Sequence, residues 1–248
     1  MFIKQIMSYI RKVRHFYFVV INFMVEKKHK NGVFYINRNN GSDKLLVVFS
    51  GIGGDYNYRR SLKNSSWDQL YIKDSWAKGL SYYLYEKGSN HPEVLTSDFI
   101  NDFLSTRNYS RIVSLGSSKG GSAALYYGIK HNFNEIVCGA CQYRVGDYIA
   151  IFHKDDGYYP LLMGNIPKGE GIRILNDKFD NLLKAHTNSP TIIKLLYSTE
   201  EHTYEEHIKP MLCKLEECNI KHEDQIESFP SHSMIGQFMT KYVKSNFR

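Results

Sequence analysis

Long apolar runs, cysteine and acidic charge are all scarce in this sequence, and each scarcity excludes something. The longest apolar stretch, residues 16–25, is ten residues long and is interrupted by Asn22. A helix needs about 20 such residues to cross a bilayer. Arg11, Lys12, Arg14 and His15 stand directly before the stretch and no small-residue cleavage site follows it, which argues against a signal peptide. Four cysteines, Cys138, Cys141, Cys213 and Cys218, are too few and too irregular for a disulfide framework. The single C-x-x-C has no second pair to complete a zinc site. His202 and His207 in EEHTYEEH do not form the H-E-x-x-H of a metalloprotease, so no metal is expected. The thiols are expected to be reduced, in the cytoplasm. Acidic residues number 25 against 32 basic, a net charge of +7. That balance favours an anionic partner such as a polyanionic glycan, a phosphorylated cofactor or a membrane surface. No nucleic-acid motif accompanies it, so nucleic acid is not expected.

No repeat, low-complexity tract or long linker divides the 248 residues, and residues 31–248 read as one α/β domain. Residues 1–30 are basic and apolar. Phe2, Ile3, Ile6, Met7, Ile10 and Val13 recur at helical spacing, with Lys4, Arg11, Lys12 and Arg14 elsewhere around the helix. Two readings stand: a helix or strand packed on the domain, or an interfacial helix whose contact through residues 1–26 would hold the protein at the inner face of the membrane. Residues 33–37 and 45–50 flank Asn39-Asn40-Gly41-Ser42 and predict a β-hairpin. Further strands are expected at residues 70–73, 111–115, 135–143, 191–197 and 226–229. Helices are expected from Pro92 to about Arg107, after Gly120, from about Glu205 to Cys218, and from Met234 to about Asn246. Strand alternating with helix predicts a mostly parallel sheet flanked by helices. Residues 144–190 interrupt that rhythm as a small cap or insert.

The most informative stretch follows the strand of Ile112, Val113 and Leu115. Gly116-Ser117-Ser118-Lys119-Gly120-Gly121 contains G-x-S-x-G, and Ala123, Ala124, Leu125, Tyr126 and Tyr127 after it suit a helix packed on a sheet. Strand, glycine turn and helix are the setting of a nucleophile elbow, where a strained serine projects its hydroxyl clear of the backbone. Three fixed positions alone arise by chance in roughly one chain in ten of this length, and a glycine-rich turn that binds phosphate has the same outline. An elbow hydrolase also needs an acid after a late strand and a histidine after the last one, in that order. Glu200 and Glu201 follow the strand ending at Tyr197. His232 lies in the loop before the last helix. The predicted roles are Ser118 as nucleophile, His232 as base, and Glu201, with Glu200 as the alternative, as the acid that orients it. The oxyanion donors would be the backbone amides of Lys119 and of Gly51 or Ile52. The Gly51–Gly54 run is equally consistent with a flexible turn.

GSSKGG after a strand, the Gln142-containing segment running to Asp147-Tyr148-Ile149, the acidic pair and the His232 loop resemble the α/β-hydrolase-type bacterial capsular polysaccharide O-acetyltransferases. The acyltransferases of accessory secretion systems are a more distant likeness. The resemblance runs patchily from about Leu45 to the C-terminus. It implies an α/β-hydrolase fold and transfer of acetyl from acetyl-CoA to a hydroxyl of an anionic polysaccharide through an acetyl-serine. Ser118, His232 and Glu201 carry over to the triad, with glutamate where the family has aspartate. The residues that would hold the donor are not identified. A serine esterase or thioesterase with the same triad, and a non-catalytic hydrolase-like subunit of a glycan assembly or secretion complex, are the alternatives.

Overall fold

The computed structural model describes residues 26–53, 55–152 and 157–248. The expected N-terminal helix of residues 2–13 and the apolar stretch after it lie outside the described residues, as does Gly54. The strands are β1 (Lys27–Lys28), β2 (Phe34–Arg38), β3 (Lys44–Phe49), β4 (Asp68–Ile72), β5 (Arg111–Ser117), β6 (Glu135–Gly139), β7 (Ile192–Tyr197) and β8 (His222–Ile226). They form one sheet in the order β1-β2-β4-β3-β5-β6-β7-β8. From β4 through β8 every pairing is parallel; β2 runs antiparallel to β1 and β4. The helices are α1 (His91–Ser105), α2 (Lys119–Lys130), α3 (Val145–Phe152), α4 (Tyr158–Met163), α5 (Lys168–Ala185), α6 (Lys209–Glu217) and α7 (Ile235–Asn246). Among the described residues no helix is long and apolar enough to cross a membrane.

The central strands are apolar on both sides because both sides are covered. Leu45, Val47 and Phe49 of β3 enter one buried cluster with residues of α2, α5 and α6. Leu46 and Val48 enter a second, on the opposite face, with Ile235, Met239 and Val243 of α7. Each such aliphatic side chain contributes about 1.5–3 kcal/mol when fully buried. Glu93 of α1 ties the helices of the first face together. Its carboxylate accepts from Lys130 Nζ (2.7 Å), Tyr126 Oη (2.7 Å) and Lys178 Nζ, which brings α2 and the insert helix α5 onto α1. Burial raises its carboxyl pKa, but these donors outweigh the effect and hold it below the ordinary value.

The expected hairpin does not form. β4 lies between β2 and β3, and the connecting loop is held from below, where Asp68 Oδ1 accepts the amides of Asn40 (2.8 Å) and Ser42 (3.1 Å). A strand as apolar on both faces as β3 needs neighbours on both edges, and β4, with all five residues buried, supplies one of them. The last strand also differs. It spans His222–Ile226, earlier than expected, and its residues are mostly exposed. An exposed charged edge blocks further pairing and shows no apolar signal. The apolar Phe229 instead buries in the loop after the strand, where its ring stacks on Phe238 at 5.0 Å and its N–H donates to Ser198 Oγ at 3.1 Å. The helix expected from Glu205 begins as a π-helical turn over Tyr204–Ile208 before α6. The insert forms α3, α4 and α5, and β6 ends at Gly139, four residues short of the run read from sequence.

Candidate active site

Ser118 joins β5 to α2 with φ 53° and ψ −129°, outside the regions open to ordinary L-residues. Two contacts hold it there. Its amide donates to Gly139 O (2.8 Å), and its carbonyl accepts from Ser122 N (3.0 Å). The glycines on either side are required by space. A Cβ on Gly116 would lie 2.0 Å from Gly120 O, and one on Gly120 would lie 2.6 Å from Phe49 O. The turn thus packs backbone on backbone, as G-x-S-x-G demands.

The structure brings Ser118, His232 and Glu201 together. Ser118 Oγ lies 2.8 Å from His232 Nε2, and His232 Nδ1 lies 3.1 Å from Glu201 Oε2. His232 sits in a short 3-10 turn, His232–Met234, that leads into α7. Glu201 is buried below it, and its other oxygen accepts from Thr203 Oγ1. Burial raises the Glu201 carboxyl, but the hydrogen bonds from His232 and Thr203 outweigh it, with nearby His202 adding to them, and the pKa ends below the ordinary glutamate value. The carboxylate is therefore ionised at neutral pH, as needed to steady an imidazolium. Glu200 points away; its Oε1 accepts from Ser228 Oγ at 2.6 Å.

The elbow places the Lys119 amide in the first turn of α2, where backbone N–H groups lack intrahelical acceptors. On the facing loop, Gly51 N–H is already engaged by Asn57 Oδ1 at 2.8 Å, whereas Ile52 is 48% exposed. Among the described residues no group of three or more His, Cys, Asp or Glu side chains could hold a metal ion. His202 Nδ1 lies 3.9 Å from Glu201 Oε2, and buried His207 accepts from Arg144 N through Nδ1 at 3.3 Å. All four cysteines are free thiols, three of them buried.

Three features escaped the sequence reading. Gln142 was noted only as part of a resemblance, yet its side-chain amide donates to Ser118 Oγ (3.2 Å) and lies 3.4 Å from His232 Nε2. Its backbone is clamped to α2 by a reciprocal pair, Ser122 Oγ to Gln142 O (2.8 Å) and Gln142 N to Ser122 Oγ (2.9 Å). The Lys119 side chain is fully buried beneath the elbow, 2.7 Å from Asp74 Oδ2. Asp74 also accepts from Ser81 Oγ (2.6 Å), and Tyr83 Oη links the same region to Ser50 at the end of β3. Burial lowers the Lys119 pKa, opposed by Asp74. A lysine between Ser118 and Gly120 and an aspartate after β4 were the only traces of this pair in the sequence. The third feature is the loop of residues 56–60, which reaches β5 through Tyr58 Oη and Ser117 Oγ (2.6 Å).

Compared with known proteins, the sequence matches no family model and no curated protein. Solved structures resemble it closely in shape. The capsule O-acetyltransferase of Neisseria meningitidis serogroup A, as a mutant in complex with CoA, superposes with a TM-score of 0.75 at 18% identity, covering 90% of this chain and 94% of that one. A glycosylation associate protein complex from Streptococcus agalactiae gives 0.72 at 19%, over 90% of this chain and 45% of that chain. A fluorophosphonate-binding serine hydrolase of Staphylococcus aureus gives 0.64 at 10%, over 90% and 97%. At these identities the likeness is one of fold. The strand order, the elbow after β5 and these neighbours together establish that the chain has an α/β-hydrolase fold.

Proposed function

We propose that the protein is an O-acetyltransferase that moves an acetyl group from acetyl-CoA to a hydroxyl of an anionic bacterial polysaccharide through an acetyl-Ser118 intermediate. The observation that carries this reading is the continuous relay from Ser118 Oγ through His232 to Glu201, mounted on a strained elbow. His232 Nε2 takes the Ser118 proton as Oγ attacks the thioester carbonyl, and the Glu201 carboxylate steadies the imidazolium. The developing oxyanion is met by the Lys119 amide and, because Gly51 N–H is engaged by Asn57, by the amide of Ile52. His232 then returns the proton to the departing thiolate as the C–S bond breaks, leaving Ser118 acetylated. In the second half His232 removes the proton of the acceptor hydroxyl, which attacks the ester and releases Ser118 with its proton restored.

Acetyl-CoA as donor is supported by the fold shared with a CoA-bound capsule O-acetyltransferase across nearly the full length of both chains. The net charge of +7 suits both a phosphorylated donor and an anionic acceptor. The test follows CoA release from acetyl-CoA and the intact mass of the protein, for wild type and Ser118→Ala. The expected outcome is CoA release and one added acetyl group, both requiring Ser118. CoA release with free acetate as the sole product, in the presence of polysaccharide acceptors, would make water the acceptor and the protein a thioesterase. Full activity in Ser118→Ala would overturn the nucleophile.

A further inference from the structure

Gln142 stands between β6 and α3 and is fully buried. Its backbone is held to α2 through the Ser122 hydroxyl, so the side chain is not needed to fix it in place. The side chain lies instead against the two reacting groups of the relay. Nε2 donates to Ser118 Oγ at 3.2 Å and stands 3.4 Å from His232 Nε2. Its third neighbour, Ala140 O at 3.5 Å, can only accept, which fits the nitrogen on this side of the amide. Oε1 is buried with no hydrogen-bond partner among the described residues.

That orphaned oxygen argues against a role in stability. Burying an amide oxygen without a donor is costly, and an apolar side chain of similar shape would avoid the cost. What glutamine supplies here and methionine cannot is an N–H directed at Ser118 Oγ.

The strength of that bond changes through the reaction. In the free enzyme Ser118 Oγ gives its proton to His232 Nε2 and has a lone pair left for Gln142. During attack Oγ loses the proton and its charge rises, so the bond is held up to the transition state. In the acetyl-enzyme Oγ is an ester oxygen, a poor acceptor, and the bond is weakened. In the second half the carbon–Oγ bond breaks, and its electron pair returns to Oγ. Oγ is then anionic until His232 delivers the proton taken from the acceptor hydroxyl. The Gln142 N–H meets this charge. An interaction stronger in the transition state than in the state before it speeds the step, and here that step is deacylation. The amide nitrogen also offers the imidazolium no acceptor, so the proton on His232 Nε2 has Oγ as its destination.

We propose that Gln142 is a catalytic residue of the second half-reaction, whose Nε2–H stabilises Ser118 Oγ as the acetyl group leaves it. The role rests on the acyl-Ser118 reading of the site. It is independent of the acceptor, because Oγ is the leaving atom whether a sugar hydroxyl or water attacks.

The experiment compares wild type with Gln142→Met, acetylating Ser118 from acetyl-CoA and, in parallel, from p-nitrophenyl acetate. Release of CoA or nitrophenol follows acylation, and intact mass follows the decay of the acetyl-enzyme in buffer. Acylation should stay within about threefold of wild type, because the bond is present before and during attack. Decay should slow by about tenfold to a hundredfold, the effect of losing a hydrogen bond to a charged group, so that the acetyl-enzyme accumulates. The urea unfolding midpoint should hold or rise, since the unpaired oxygen is gone. Decay as fast as in wild type, or acylation and decay slowed alike, would overturn the proposal. Should the methionine variant not fold, Gln142→Glu keeps the shape, removes the N–H donor and gives the same comparison. If acetyl-CoA leaves Ser118 unmodified while the nitrophenyl ester acetylates it, the donor reading fails and the role of Gln142 is decided on the ester.

Discussion

Replacing Lys119 by methionine should destabilise the protein far more than removal of a surface lysine, although the side chain touches no substrate. Lys119 and Asp74 are both fully buried, with Nζ and Oδ2 2.7 Å apart. At an effective dielectric near 20, two unit charges at that separation attract by about 6 kcal/mol, and this attraction offsets the desolvation of both groups. Lys119→Met removes the attraction and leaves the desolvation of Asp74. The Asp74 Oδ1 oxygen keeps Ser81 Oγ and Trp76 N, but Oδ2 keeps no partner among the described residues. The expected cost is about 3–5 kcal/mol, as for other broken buried pairs. For a chain of this size that is a fall in Tm of about 6–20 °C. Asp74→Asn strands the lysine instead and should cost a similar amount. The double variant has no uncompensated charge, and the asparagine oxygen can retain the Ser81 and Trp76 bonds. The two single losses should therefore fail to add, with a coupling of about 2–3 kcal/mol. Urea unfolding of all four proteins at pH 7, with unchanged m, measures this. Losses that add to within about 0.5 kcal/mol would refute the claim that the charges depend on each other. The pair sits beneath the residue whose amide is proposed to meet the oxyanion, so the single variants should also lose acetyl-CoA turnover.

Two further outcomes follow from the site. Glu201→Gln should slow acetyl-CoA turnover by about 10²–10⁴-fold, because the amide no longer fixes the imidazole tautomer, while Glu200→Gln, altered only at its bond to Ser228, should change it less than threefold in the same assay. Burial, with the nearby charges of His202 and His232, depresses the His207 imidazole to about 4. Its folded pKa lies below the unfolded value near 6.5, so the unfolded chain binds the extra proton first and stability falls as pH drops through that window. Between pH 7 and 5 the loss is about 2 kcal/mol. Urea unfolding at both pH values should show it in wild type and not in His207→Asn, whose side-chain oxygen can still accept the Arg144 amide; an equal loss in both would count against it.

The parallel core of the sheet was legible because its signals are local. β5, β6 and β7 are short apolar runs, α1 opens on a proline, and the elbow is written as consecutive residues whose glycines are each forced by backbone contact. The two places where the reading failed are those where a strand's partner or its exposure decides the outcome. The turn-like residues 39–42 suggested a hairpin, yet β4 takes the place beside β3, a choice made by burial on both sheet edges. β8 is polar because it is an edge, so hydropathy pointed past it to Phe229.

The sequence by itself determined the fold class and nominated a candidate site in chain order. A strand, a G-x-S-x-G turn and a helix are contiguous, and serine, acid and histidine follow in chain order, so residue types and spacing suffice to nominate them. Only the tertiary structure distinguishes Glu201 from Glu200, neighbours in sequence of which the first meets His232 and the second Ser228. Only the fold could bring Gln142 to Ser118 and pair Lys119 with Asp74 across 45 residues. Each of these depends on distances between segments far apart in the chain, and such distances are fixed by how the sheet and helices pack.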